Sequence, residues 1–324
     1  MFIGIFGDVH LTKNMRNLQT EWDVTATKSI YYMYDKFDEL NVESAVCLGD
    51  FFDTPRIEAK HMQLVLPILK HINERTYPTY LLLGNHEIDS DQSNILDFLT
   101  SYENIIPVTS LTRVENMILV PYNVDPTELE YPPECVVFTH HDIYGSELAG
   151  GKTKAFFGID PDIFSSAKLV MNGHVHLKSK VRNNVINAGS LLVSSQGELR
   201  LGEYPEYYLL NTSDGELLSF PNKHSLIYVT SDEINIDKIE SSGYDKSHLV
   251  LRLEYTGDVP DISLGNLHTN YRKLVENIES SGEGSFNSSN FDLKNYLSNY
   301  IKSDSEVPEG LKDDYIITGL RFLS

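Results

Sequence analysis

Residues 2–10 read FIGIFGDVH. Four apolar side chains around one glycine make a run of strand length, and the glycine that follows ends it. Immediately beyond come a carboxylate and an imidazole two positions apart, Asp8 and His10. Taken alone the pair is a polar turn, because Asp and His are common loop residues. The spacing nevertheless lets both side chains converge while Val9 between them faces the core.

The same grammar recurs along the chain. SAVCL is followed by GDFFD (Asp50, Asp53), TYLLL by GNHE (Asn85, His86), CVVF by THHD (His140, His141), and KLVM by NGHVH (His174, His176). Six of the eleven histidines fall in these clusters, each just past an apolar run. Amphipathic stretches over residues 23–40 and 58–75 separate the first three runs, so the order reads as βαβ units, whose strand ends are where open sheets place ligands. Glycines precede Asp8, Asp50, Asn85 and His174, which suits tight turns that swing a side chain into a crowded centre. Asp, Asn and His are borderline oxygen and nitrogen donors, suited to Mn, Fe or Zn rather than to an all-oxygen calcium site. Two ions about 3.5–4 Å apart would need a carboxylate shared between them, and the inventory contains one.

Further strands are expected at LTRVENMILVPY, ECVVFT, KLVMN, SKVR, VINA and EYYLLNTSDGELLSF, with hairpin turns at Asn183–Asn184 and Asp214–Gly215. A short helix over NILDFLTSY, capped by Asp91, is expected between them. The segment following residue 222 has strand-like runs SLIYVT and HLVLRLEY and a helix pattern at TNYRKLVENIE. SSGEGSFNSSN, residues 280–290, has linker composition, and Leu293, Leu297, Tyr300 and Ile301 share one face of a short helix beyond it. The expected organisation is therefore a domain over 1–222, a small α/β domain over 223–281, and a linker and C-terminal helix over 282–324.

With 324 residues and 41% hydrophobic content, the chain can bury a full core. No apolar run approaches the ~20 residues of a membrane span, and no basic region precedes a signal-like segment, so a cytoplasmic protein without membrane association is expected. Cys47 and Cys135 lie in apolar runs and read as buried reduced thiols. A net charge of −21 argues against unaided charge-driven nucleic-acid binding. Residues 151–182 depart from it, with Lys152, Lys154, Lys168, Lys178, Lys180 and Arg182 against Asp160 and Asp162. A phosphate-rich partner could be met there, or those lysines could merely solvate a surface.

The series GDVH, GDFFD, GNHE, H and GHVH resembles the calcineurin-like metallophosphoesterase superfamily over roughly residues 1–220. Within it the chain looks most like the SbcD-type nuclease subunits of double-strand-break repair complexes, and among these the recombination endonuclease subunits of T-even-type bacteriophages. The resemblance implies a four-layer sandwich of two mixed β-sheets flanked by helices, with a small α/β capping domain. It implies a metal-dependent DNA exonuclease and endonuclease of recombination, repair and replication, with two divalent ions, Mn²⁺ expected and Mg²⁺, Fe²⁺ or Zn²⁺ admissible. Its partners would be DNA, an SMC-like ATPase of the SbcC type and a second copy of the chain, in the host cytoplasm if phage-encoded. The C-terminal segment would dock the ATPase or pack on its own sheet.

Carried onto this sequence, the resemblance implies that Asp8, His10, Asp50 and His176 hold the first metal, and that Asp50 bridges to a second held by Asn85, His140 and His174. His86 would contact the phosphate and protonate the leaving oxygen, and His141 would be a supporting or an exposed residue. Two departures are informative. Protein Ser/Thr phosphatases carry arginines where this chain has Thr54 and Leu83, which argues against a phosphoprotein substrate. Eukaryotic and archaeal repair members tend to have histidine where Asp53 stands, whereas bacterial and phage members have Asp.

Overall fold

The computed structural model describes residues 1–15, 18–195, 197–200, 202–231, 248–255 and 268–273. In chain order the elements are β1 (Phe2–Phe6), α1 (Gln19–Glu39), β2 (Ser44–Cys47), α2 (Met62–Asn73), β3 (Thr79–Leu82), β4 (Ile105–Val108), β5 (Thr112–Val114) and β6 (Met117–Val120). There follow β7 (Val136–Thr139), β8 (Glu147–Leu148), β9 (Thr153–Lys154), β10 (Leu169–Asn172), β11 (Ser179–Arg182), β12 (Val185–Asn187), β13 (Glu206–Asn211) and β14 (Leu217–Pro221). Last come β15 (Ile227–Ser231), β16 (Leu249–Tyr255) and β17 (His268–Lys273).

Two six-stranded mixed sheets result, ordered β14-β13-β1-β2-β3-β4 and β11-β12-β10-β7-β6-β5. In the first, β1 to β4 run parallel, β13 pairs antiparallel with β1, and β14 pairs antiparallel with β13. In the second, β12, β10, β7 and β6 are parallel with antiparallel edges. The hairpins at Asn183–Asn184 and Asp214–Gly215 form as expected.

Why these runs become central strands follows from period two. In β7, Val136 and Phe138 enter the core between the sheets while Val137 faces the opposite outer layer. In β10, Leu169 and Met171 face inward and Val170 outward. In β2, Val46 faces the other sheet while Ala45 and Cys47 face the helices. Strands apolar on both faces belong in the middle of a layered α/β fold. Helix α1 places Trp22, Ala26, Ile30, Met33 and Phe37 on one face at helical spacing, and α2 adds Val65, Ile68, Leu69 and Ile72. Both pack on the outer face of the first sheet. On the outer face of the second sheet, Tyr131 and Phe164, from loops and short 3-10 turns, complete the fourth layer.

Trp22 is fully buried in the layer under α1. Trp22→Ala is expected to lower the unfolding free energy by roughly 3–5 kcal/mol through lost burial and the cavity left behind, read by chemical denaturation. A loss below about 1 kcal/mol would show that the layer collapses around the gap.

Two expectations change, and the open reading of the basic residues narrows. NILDFLTSY forms a 3-10 helix over Ile95–Ser101 started by Asn94, because Asp91 is occupied in a local turn, accepting from Ser93 N and Oγ. Thr269–Lys273, read as helical, lie in β17, paired in parallel with β16; the β-formers Thr and Tyr in that run follow the partner strand rather than the helical spacing. Of the basic residues in 151–182, Lys168 donates to Thr212 O at 3.0 Å, Lys178 pairs with Glu206, and Arg182 pairs with Asp162. The remainder of TNYRKLVENIE, the linker and the C-terminal helix lie outside the described residues. Both cysteines are free and buried. Among the described residues no helix is long and apolar enough to cross a membrane.

Candidate metal centre

The carboxyl ends of β1, β2 and β3 in one sheet and of β7 and β10 in the other face one another, and each polar cluster begins there. Loops 8–11 and 49–51 are zipped together: Asp8 N donates to Gly49 O, Val9 N and His10 N to Asp50 O, and Leu11 N to Phe51 O, over 2.9–3.2 Å. Val9 is buried between Asp8 and His10. Asp8, His10, Asp50 and His174 have φ of 47°, 49°, 49° and 67°. Left-handed backbone at residues bearing a Cβ costs on the order of 1–3 kcal/mol each and concentrates at functional sites. Two glycines are required by contact: a Cβ on Gly49 would strike the His140 ring, and one on Gly84 would strike the Asp50 carboxylate.

Donor atoms converge in three overlapping groups, each within 4.8 Å: Asp8–His10–His176, His10–Asp50–His86 and Asp50–His140–His174. His10 Nε2 lies 3.0 Å from His176 Nε2 and 3.8 Å from Asp50 Oδ2. His140 Nε2 is 3.3 Å from Asp50 Oδ2 and 3.2 Å from Asn85 Oδ1, and His174 Nδ1 is 2.9 Å from the same Asn85 oxygen. Asp50 therefore stands between the two sets. Its Oδ1 accepts from His86 N at 3.0 Å, and Asp8 Oδ1 accepts from His174 N at 2.9 Å. All seven residues that the family resemblance offers as ligands meet here.

Each of four imidazoles has an oxygen close to its outer nitrogen, and its other nitrogen points inward. His10 Nδ1 is 3.0 Å from Asp53 Oδ1, His140 Nδ1 donates to Leu48 O at 2.7 Å, His174 Nε2 is 3.1 Å from Asp142 Oδ1, and His176 Nδ1 is 3.0 Å from Glu198 Oε1. Outer acceptors of this kind set the tautomer and orientation of a metal-binding imidazole. The residues also fit cations on a second ground, for Asp8 Oδ2 is buried with no hydrogen-bond partner. A buried carboxylate oxygen left unmatched is costly unless a positive charge meets it.

Burial opposes ionisation of Asp50, yet His140, His10 and His86 hold its carboxyl well below the usual range. Burial likewise opposes charge on His140, but the Asp50 carboxylate raises it to about 9. Burial and the adjacent Asp50 push Glu87 up to about 8; its oxygens accept from Phe52 N at 3.0 Å and Gly84 N at 2.8 Å, tying the second and third loops together. His141 is turned away from the centre, its ring hydrogen-bonded to Thr139 Oγ1 at 2.6 Å and Val124 O at 3.0 Å. Burial and then the charge of His140 depress it to about 4. Asp8, His10, Asp50 and His140 are buried, whereas the His86 side chain is 41% exposed, so the centre opens to solvent on the His86 side. Its Nδ1 donates to Asp53 O at 2.9 Å, which leaves Nε2 free.

The sequence pattern did not single out Glu198, Asp142, the Leu48 carbonyl or the approach of Asp53 to His10. Glu198 lies 22 residues beyond His176 and follows no apolar run, so it carried no signal. Asp53 and Asp142 stood within their motifs without an assigned role.

The family model for calcineurin-like phosphoesterases matches residues 1–178. Among solved structures the chain is similar to an archaeal phosphodiesterase, at 16% identity and a TM-score of 0.35, over 68% of this chain and 99% of that one. It is similar to a protein of Thermus thermophilus at 11% identity and TM-score 0.42, over 68% and 98%. It is also similar to a phosphoesterase from E. coli at 13% identity and TM-score 0.33, over 68% and 99%. No curated protein matches the sequence.

Proposed function

The chain belongs to the calcineurin-like phosphoesterase family, metal-dependent phosphoesterases with two divalent ions, and from that premise we propose that it hydrolyses DNA phosphodiesters as the nuclease subunit of an SbcC/SbcD-type recombination and break-processing complex. The observation that carries the phosphoester chemistry is the set of four imidazoles, each with an oxygen beside its outer nitrogen and its inner nitrogen turned onto Asp8, Asp50 and Asn85. For a diester rather than a phosphoprotein speaks the absence of arginine at Thr54 and Leu83.

In this reading Asp8, His10, Asp50 and His176 hold one ion, Asn85, His140 and His174 hold the other together with Asp50, and Mn²⁺ is the working metal. Bound there, divalent ions supply Lewis acidity and acidify a water. Asp53, Leu48 O, Asp142 and Glu198 keep the imidazoles in the ligating tautomer. His86, at the open side and held at Nδ1, uses Nε2 to give a proton to the departing sugar oxygen. A second copy of the chain and an SMC-like ATPase complete the assembly in the cytoplasm, with residues 282–324 as the docking segment.

Glu198→Ala is expected to weaken Mn²⁺ binding about 10–100-fold, as loss of an outer acceptor does elsewhere, with Glu198→Gln retaining part of it. Calorimetric titration of the metal-free protein reads both; unchanged affinity in Glu198→Ala would remove Glu198 from this role.

The function itself is tested by digesting end-labelled linear and hairpin DNA with Mn²⁺ or Mg²⁺, with and without the ATPase and ATP, beside p-nitrophenyl phosphate and a cyclic nucleotide. Metal-dependent shortening of the DNA is expected. DNA left intact while the small esters are hydrolysed would place the chain among small-molecule phosphoesterases instead.

A further inference from the structure

Between the histidine pair after β7 and the turn at Pro161 the chain makes a hairpin built on β8 and β9, with Glu147 opposite Lys154 and Leu148 opposite Thr153. Pairing continues toward its base, where Ala155 N donates to Ser146 O at 2.8 Å and Gly145 N to Ala155 O at 2.9 Å. Beyond it Tyr144 N donates to Ile159 O and Ile159 N to Asp142 O, both at 2.9 Å, a parallel bridge between Ile143 and Ile159, so the chain reverses direction between the two pairings. Between those rungs one side has no residue and the other has three: Phe156, Phe157 and Gly158. Gly158 has φ 105°, and a Cβ there would lie 2.6 Å from Asp142 O, so the kink closes tightly on the metal-centre side.

What this reversal leaves outside the core is an aromatic pair. Phe156 is 84% and Phe157 51% exposed, with ring centroids 5.4 Å apart and edge to face. The fold thus forgoes burial of two large apolar side chains although the backbone on both flanks is hydrogen-bonded. On the same hairpin Lys152 and Lys154 are exposed, and among the described residues neither forms an ion pair, in contrast to Lys178 and Arg182. The base of the hairpin is bonded to the centre: Asp142 accepts Ile159 N through its main chain and holds His174 Nε2 at 3.1 Å through its carboxylate.

We propose that this hairpin grips a single-stranded nucleic-acid end beside the metal centre, with bases stacking on Phe156 and Phe157 and the backbone phosphates meeting Lys152 and Lys154. The inference rests on the DNA reading above and adds to it the strand form that is held. Aromatic faces beside unpaired ammonium groups are the recognition chemistry of single strands, because only unstacked bases present a free π-face. In a chain of net charge −21, two lysines without an ion pair on the strand that leads into an exposed aromatic pair favour a polyanion over a protein partner as the occupant.

The test uses the full-length chain in EDTA, which stops cleavage, and the fluorescence anisotropy of a labelled oligo-dT strand. F156A/F157A is expected to lose about tenfold or more in affinity, and F156W/F157W to keep it. K152A/K154A should bind more weakly with a shallower salt dependence, by about one in the log–log slope per lysine. Wild-type affinity in F156A/F157A, with the wild type degrading DNA, would overturn the grip and leave the nuclease reading standing. No oligo-dT binding and no DNA cleavage by the wild type would overturn both. Unaltered oligo-dT affinity in F156A/F157A with altered sedimentation would reassign the pair to a protein contact and overturn the proposal.

Discussion

Asp50→Asn is expected to give a folded protein that no longer holds two divalent ions and hydrolyses its substrate about a thousandfold more slowly or worse, a loss of about 4 kcal/mol in transition-state stabilisation. Asp50 is the carboxylate that the two donor sets share, 3.3 Å from His140 Nε2 on one side and 3.8 Å from His10 Nε2 on the other. The amide retains the size of the side chain and an oxygen that can accept His86 N, as Oδ1 does now at 3.0 Å, so the loops stay tied. What is lost is the negative charge that several imidazoles surround and hold ionised. The metal content per chain, measured together with steady-state hydrolysis, checks this; two ions per chain in the variant would end the bridging assignment. His10→Asn supplies the contrast. His10 faces Asp8 and His176, so its replacement should weaken one ion before the other.

His86→Ala should retain both ions and lose about 10²–10⁴-fold in turnover of the DNA substrate proposed above, the range of general acid catalysis. His86 is the most exposed imidazole of the centre and is fixed by one bond, from Nδ1 to Asp53 O at 2.9 Å. A proton donor matters in proportion to the basicity of the leaving oxygen. The loss should therefore be much smaller on bis-p-nitrophenyl phosphate, whose leaving group departs without protonation. His86 also lies within ligand reach of His10 and Asp50, so the metal count decides between the two roles. One ion lost in His86→Ala would make it a ligand, and equal losses on both substrates would remove it as the acid.

How far the site is legible without coordinates varies by residue. Asp8, Asp50, Asn85, His140 and His174 could be read as one set because each follows an apolar run of strand length, and in a layered α/β fold the carboxyl ends of such runs share one edge. Glu198 could not, since nothing local marks a carboxylate whose partner is His176. Nor could the Leu48 carbonyl, a backbone group present at every position. The strand at Thr269–Lys273 was missed because a short run of mixed polarity suits either period, and the neighbouring β16 decides between them.

The basic stretch at 151–182 makes the same distinction with charge. Composition shows six cations, but whether each is free depends on which acids and carbonyls arrive from elsewhere: Glu206 for Lys178 and the Thr212 carbonyl for Lys168. Likewise Phe156 and Phe157 are apolar by residue type, and only the chain reversal between the Gly145–Ala155 and Tyr144–Ile159 pairings leaves the two rings exposed.

By itself the sequence determined β1–β3, β5–β7 and β10–β16, the amphipathic stretches that become α1 and α2, and the donor types at the strand ends, because periodicity and strand-to-loop transitions are local properties of the chain. Tertiary structure alone decided which nitrogen of each imidazole points inward, that Asp50 lies between both donor sets, and which lysines and phenylalanines remain free. Those depend on atoms far apart in the chain, whose meeting is set by how two sheets face each other.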